Sequence, residues 1–70
     1  MKILIKKCPY IIEKDFQWNK PLNAFKGKTP TGEKCYNVSG QELIEAGGGE
    51  NNFFEGRNYY FFADEIEIVE

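Results

Sequence analysis

The final thirteen residues, Asn58 to Glu70 (NYYFFADEIEIVE), constrain the fold of this chain more than any other stretch. Four aromatics run into a polar corner, and an alternating apolar and acidic run continues to Glu70. At period two, Tyr60 and Phe62 share a parity with Ile66 and Ile68, whereas Tyr59, Phe61, Ala63, Glu65, Glu67 and Val69 share the other. Asp64 breaks the first set, because a carboxylate cannot sit on a buried face without a partner. The run therefore predicts one strand through about Phe62, a tight 3₁₀ turn at Ala63-Asp64-Glu65, and a last strand Ile66–Val69. Four consecutive aromatics cannot all point inward from one strand, so two of Tyr59, Tyr60, Phe61 and Phe62 face outward.

The complement to this ending lies at the other terminus, where Ile3 and Ile5 alternate with Lys2, Leu4 and Lys6 in a predicted strand Lys2–Lys7. Pairing the first strand with the last sets Lys2, Lys6 or Lys7 across from Glu65, Glu67 or Glu70, each pair adding roughly 0.2–1 kcal/mol. Charge by halves repeats the pattern. Residues 1–35 carry eight Lys against Glu13, Asp15 and Glu33, a balance of +5, and residues 36–70 carry Arg57 alone against seven Glu and Asp64, a balance of −7. Internal complementarity accounts for much of this asymmetry; the functional reading is an acidic face that meets a basic partner.

Seventy residues make one domain, residues 1–70, and at this size a core supplies only about 3–5 kcal/mol. Large side chains must compensate, and most of the eleven aromatics are expected in the core. Between the termini the punctuation is dense. Pro9 removes a ladder donor and allows an edge-like continuation through Tyr10, Ile11 and Ile12. Glu13 to Pro21 (EKDFQWNKP) reads as a long loop pinned by Phe16 and Trp18, and Gly27 to Lys34 as a hairpin tip. Cys35–Val38 resumes as a strand. Ser39-Gly40-Gln41-Glu42 fits a capping box, followed by Leu43, Ile44 and Ala46 and a stop at Gly47, which suggests a short helix near residues 40–46. A hairpin with Gln41–Glu45 as its returning strand is the alternative. Gly47 to Asn52 is flexible by composition, and Glu55 to Asn58 is a turn that would pair Phe53–Phe54 with Tyr59–Phe62 in a hairpin.

Chemistry-bearing motifs are few. The chain has no His, and Cys8 and Cys35 are too far apart for a CxxC motif, so no metal site or cofactor is expected. Glu33 stands where a phosphate-binding loop at Gly27–Lys34 would need Lys. No Ser, Thr or Cys stands in an activating arrangement, and the chain reads as a non-enzyme. Only three apolar residues lie among Lys2, Lys6 and Lys7, too few for a signal-peptide core, and a cytoplasmic location is the expectation.

Together, the strand Lys2–Lys7, the loop Glu13–Pro21, the strands around Phe25 and at Cys35–Val38, the Phe53–Phe62 hairpin and the Ala63-Asp64-Glu65 turn resemble an SH3-like small β-barrel domain. The ending FFADEIEIVE is also similar to those of small proteins of bacteriophages and mobile elements. The expected fold is therefore mainly β, a small barrel of about five antiparallel strands with the short helix as an addition. The chain departs from the SH3 pattern in that helix and in lacking an ALYDY-type motif, so polyproline recognition does not carry over. The resemblance implies a non-catalytic binding module, here an inhibitor or modulator of a host or cognate protein that is itself basic or nucleic-acid-binding. Expected contact residues are outward-facing Tyr59 or Phe61, Phe53 or Phe54, Arg57, and the acidic Glu50, Glu55 and Asp64. The alternative is a nucleic-acid-binding barrel that grips a single strand with Phe16, Trp18, Lys20, Lys26 and Lys28.

Overall fold

A computed structural model describes all residues from Met1 to Glu70. Six strands form two three-stranded antiparallel sheets: β1 (Lys2–Ile5), β2 (Leu22–Asn23), β3 (Phe25–Lys28), β4 (Lys34–Ser39), β5 (Asn58–Phe61) and β6 (Ile66–Ile68). The strand orders are β2-β1-β6 and β3-β4-β5, and no ladder joins one sheet to the other. One helix, α1 (Gly40–Glu45), follows β4 directly, and a 3₁₀ turn at Ala63–Glu65 separates β5 from β6.

The termini pair as their alternation requires. Ile3 lies opposite Ile68, Leu4 opposite Glu67 and Ile5 opposite Ile66, and Lys6 Nζ reaches Glu67 Oε1 at 3.6 Å. The chain passes between sheets twice, each time within a few residues. Only Ala24 separates β2 from β3; it is buried, and its N–H and C=O are both taken by Met1. The second crossing is the 3₁₀ turn, where Glu65 Oε1 accepts the Phe62 N–H at 2.8 Å and locks the corner.

Helix α1 forms where Ser39 ends β4 and caps the next turn, its Oγ accepting the Glu42 N–H at 3.2 Å. The returning strand at Gln41–Glu45 is absent. The other half of the capping box is not made. The Glu42 carboxylate instead accepts from Asn23 Nδ2 at 2.8 Å and from the Asn23 backbone N–H at 3.4 Å, fastening the helix to β2. At the C-terminal end Gly47 adopts φ +98°, its N–H bonds to Ile44 O, and Gly48 N–H bonds to Leu43 O, the Schellman pattern that only glycine satisfies without strain.

The core is mostly aliphatic. Ile3, Ile5, Ile11, Leu22, Ala24, Val38, Leu43, Ala46 and Ile66 cluster with three aromatics, Phe16, Phe53 and Phe61. The expectation that most aromatics are buried is therefore overturned, since Tyr10, Phe25, Phe54 and Tyr60 are each more than half exposed. Leu43 from the helix and Ala46 at its C-terminal cap are fully buried in this core. Two further expectations fail. Residues 10–12 form no strand, and Phe53–Phe54 does not pair with Tyr59–Phe62; β5 pairs instead with β4, through Tyr36–Phe61, Asn37–Tyr60, Val38–Tyr59 and Ser39–Asn58. The Gly47–Asn52 segment is held in place as well. Asn52 Nδ2 donates to Glu13 Oε1 at 2.6 Å, and Gln17 N–H donates to Ala46 O at 2.8 Å, which ties the loop from Glu13 to Pro21 against the end of α1.

Candidate functional site

Strand β5 bonds to β4 on one side and to nothing on the other. The bond from Gly40 N–H to Arg57 O fixes the phase of that ladder. Antiparallel bonds alternate, so Tyr59 and Phe61 spend their N–H and C=O groups on β4, while those of Asn58 and Tyr60 point away from it. A groove of about 470 Å³ runs along this open side, lined by all four β5 residues together with Phe62, Glu65, Arg57, Phe53, Cys8 and Tyr10. Its volume falls within the range of binding clefts. A smaller cavity of about 330 Å³ adjoins it, sharing Tyr10, Phe53 and Tyr59 and adding Asn51 and Asn52.

The walls are braced by side-chain contacts. Tyr59 packs edge-on to Phe53 with centroids 5.0 Å apart, and its hydroxyl accepts the Phe54 N–H at 2.8 Å, which anchors the 53–57 turn to the strand. Arg57 lies over the Phe54 ring at 5.5 Å, so the one guanidinium of the chain is presented on an aromatic support. Tyr60 and Phe62 contact each other edge-to-face at 5.6 Å on the outer side of the strand. At the far wall, burial pushes the Cys8 thiol above its ordinary value; hydrogen bonds from the backbone of Tyr10 and Ile11 oppose the shift, and Glu65 adds to it. Cys8 is therefore a neutral thiol at physiological pH and packs as an apolar group.

The sequence-predicted contact residues divide here. Arg57, Tyr59, Phe53 and Phe61 do meet at one groove, but Phe53 and Phe61 are 3 % and 4 % exposed and form its floor. Within each expected pair the accessible members are Phe54, which is largely exposed, and Tyr59, which is half-buried. Glu50, Glu55 and Asp64 are exposed in the flanking turns. The residue that parity misplaced is Tyr60. Tyr60 shares a parity with Ile66, yet it is 53 % exposed because the 3₁₀ turn changes the phase between β5 and β6. Cys8 and Tyr10 were not readable as groove residues, since nothing local links residues 8–10 to residues 58–62.

The nucleic-acid set does not assemble into one site. Phe16, Trp18 and Lys20 line one shallow cleft, in which Phe16 is buried and stacks edge-on to Trp18 at 4.8 Å. Lys26 and Lys28 line a different one with Lys34 and Tyr36. No three Cys, Asp or Glu side chains converge in an arrangement that could hold a metal ion, and no helix is long and apolar enough to cross a membrane.

No family model, curated protein or solved structure matches this chain.

Proposed function

We propose that this protein is a small, non-catalytic binding module that captures a protein partner by adding a strand of that partner to the open edge of β5. The observation that carries the reading is the contrast between the two free edges of one sheet. Edge strand β3 carries Lys26 and Lys28, the kind of residue that blunts an edge against pairing, whereas β5 (NYYF) carries no charge, no Pro and no bulge. An unguarded, aromatic edge beside a preformed groove is the arrangement that strand addition uses: main-chain bonds from Asn58 and Tyr60 give affinity, and the groove selects side chains.

The flanking charge favours a basic partner, a nucleic-acid-binding protein among them. Glu50, Glu55, Asp64 and Glu65 stand in the turns around the groove, against Arg57 at its lining and Lys6 and Lys7, whose backbone N–H groups bond to Glu65 O beside Cys8; the acidic excess at the rim steers encounter more than it adds affinity. An SH3-like barrel is the architecture we assign. Its support is the order β2-β1-β6 and β3-β4-β5, the single-residue link at Ala24 and the 3₁₀ turn before the last strand, with α1 as the departure. The similarity of Phe61–Glu70 to the endings of phage and mobile-element proteins extends the reading to a modulator of a host protein, acting in the cytoplasm.

The test is affinity capture from nuclease-treated bacterial lysate with the wild-type protein, Tyr60→Lys and Phe25→Lys. Tyr60 and Phe25 are exposed to nearly the same degree, 53 % and 52 %, on the two edge strands. A partner held by wild type and Phe25→Lys but lost by Tyr60→Lys is expected. A partner held equally by all three contradicts the edge assignment.

A further inference from the structure

The β3–β4 hairpin presents a second surface, independent of the β5 groove. In the register Lys26–Tyr36 and Lys28–Lys34, four side chains share the face of the sheet that carries Ala24, Val38 and Phe61 toward the core. Beyond Tyr36 that face is uncovered. Lys26, Lys28 and Lys34 are exposed, Tyr36 is half-buried, and together with Gly27 and Cys35 they line a cleft of about 400 Å³.

The ladder phase makes this placement costly for the protein alone. Thr29 N–H bonds to Glu33 O, so Lys28 and Lys34 form a non-hydrogen-bonded pair, the closer of the two antiparallel spacings. Like charges directly opposite are destabilising there. Nothing in the chain neutralises them: the single ion pair is Lys6–Glu67, and the nearest acidic residue in sequence, Glu33, accepts a hydrogen bond from Thr31 Oγ1 at 3.2 Å and lines no part of the cleft. Edge protection of β3 needs no lysine on β4, so Lys34 is unexplained by it. Lys26 and Lys28, two residues apart on one strand, stand roughly 7 Å apart, comparable to successive phosphates of an extended strand. Tyr36, beside Lys26, offers a ring on which a base can stack.

We infer that this hairpin face binds the phosphate backbone of single-stranded nucleic acid, with Lys26, Lys28 and Lys34 as the phosphate contacts and Tyr36 as a stacking wall. All three lysines belong to residues 1–35, the half of the sequence with a balance of +5. The site uses neither Trp18 nor the β5 edge, and its failure would leave the protein-binding reading untouched.

The experiment is fluorescence anisotropy of a labelled twelve-nucleotide oligothymidylate (a length of about one site) with the intact protein, titrated across salt. Three phosphate contacts predict a slope of log affinity against log salt near −2, about 0.7 per contact, which is roughly a 20-fold loss between about 50 and 200 mM. Lys28→Gln is expected to lower the slope by about 0.7, and Lys26→Gln/Lys28→Gln/Lys34→Gln together to abolish binding while raising the thermal midpoint, as repulsion is relieved. Lys7→Gln and Lys14→Gln, exposed lysines outside the cleft, are expected to leave affinity within twofold. No binding at low salt, or equal losses from the Lys7 and Lys14 variants, would overturn the site. Competition by ATP or inorganic phosphate as strong as by unlabelled oligonucleotide would overturn the strand in favour of a free phosphate ligand.

Discussion

The divided loyalty of Glu42 gives a quantitative test of how α1 is held. In a full capping box the Glu42 carboxylate would accept the Ser39 N–H and the two side chains would be coupled. Here Ser39 Oγ accepts the Glu42 N–H, while the Glu42 carboxylate accepts two hydrogen bonds from Asn23. Ser39→Ala removes a cap, a loss of about 1 kcal/mol. Glu42→Ala removes two exposed bonds to a charged acceptor and a favourable charge at the helix start, together again about 1 kcal/mol. Both single variants stay folded against a total near 3–5 kcal/mol. Because the bond to Ser39 uses the backbone of Glu42, the two substitutions act on different bonds and their effects add to within about 0.5 kcal/mol. Asn23→Ala and Glu42→Ala both break the bond from Asn23 Nδ2, whereas the bond from the Asn23 backbone N–H is lost only in Glu42→Ala, so their coupling reports the shared side-chain bond and is about 0.5–1 kcal/mol. Urea unfolding followed by Trp18 fluorescence measures both cycles. Strong coupling of Ser39 with Glu42 and none of Asn23 with Glu42 would refute this account of the helix.

Other perturbations separate the core from the groove. Leu43→Ala empties a fully buried position and is expected to cost about 2–5 kcal/mol, enough to leave the domain largely unfolded by circular dichroism at room temperature. Phe54→Ala, at a side chain 61 % exposed, shifts the urea midpoint by less than about 0.5 kcal/mol in stability yet weakens partner capture, because it removes the platform beneath Arg57. The Cys8 thiol has its folded pKa raised by burial above the ordinary value of 9.0, so its contribution to stability is whole below pH 9.0 and is lost as pH rises through the folded value. Cys8→Ala should flatten the alkaline limb of a stability-versus-pH curve, and an unchanged limb would remove Cys8 as its source.

What the sequence made legible follows from how local each signal was. The β1–β6 pairing and the turn between β5 and β6 were readable because alternation and opposite charge lie within the paired segments and Asp64 lies in the turn itself. Helix α1 was readable from Ser39 to Gly47, whereas the capture of Glu42 by Asn23, nineteen residues away in sequence, was not. Misplacement of the aromatics has the same root. Tyr59–Phe62 fit either face of a strand, and the choice is made by β4, whose Val38 and Tyr36 draw Tyr59 and Phe61 inward. The groove joins residues 8–10 with 53–65, and the lysine cleft depends on the register of Lys28 with Lys34, so neither could be read before the pairing was known.

Amide hydrogen exchange by NMR tests the open edge of β5 most directly, in the free protein and again with the captured partner. The account predicts fast exchange at Asn58 and Tyr60 beside slow exchange at Tyr59 and Phe61 in the free protein, and protection of Asn58 and Tyr60 once the partner is bound. Equal protection of Tyr59 and Tyr60 in the free protein, or a bound partner that leaves Asn58 and Tyr60 exchanging freely, would contradict strand addition at β5.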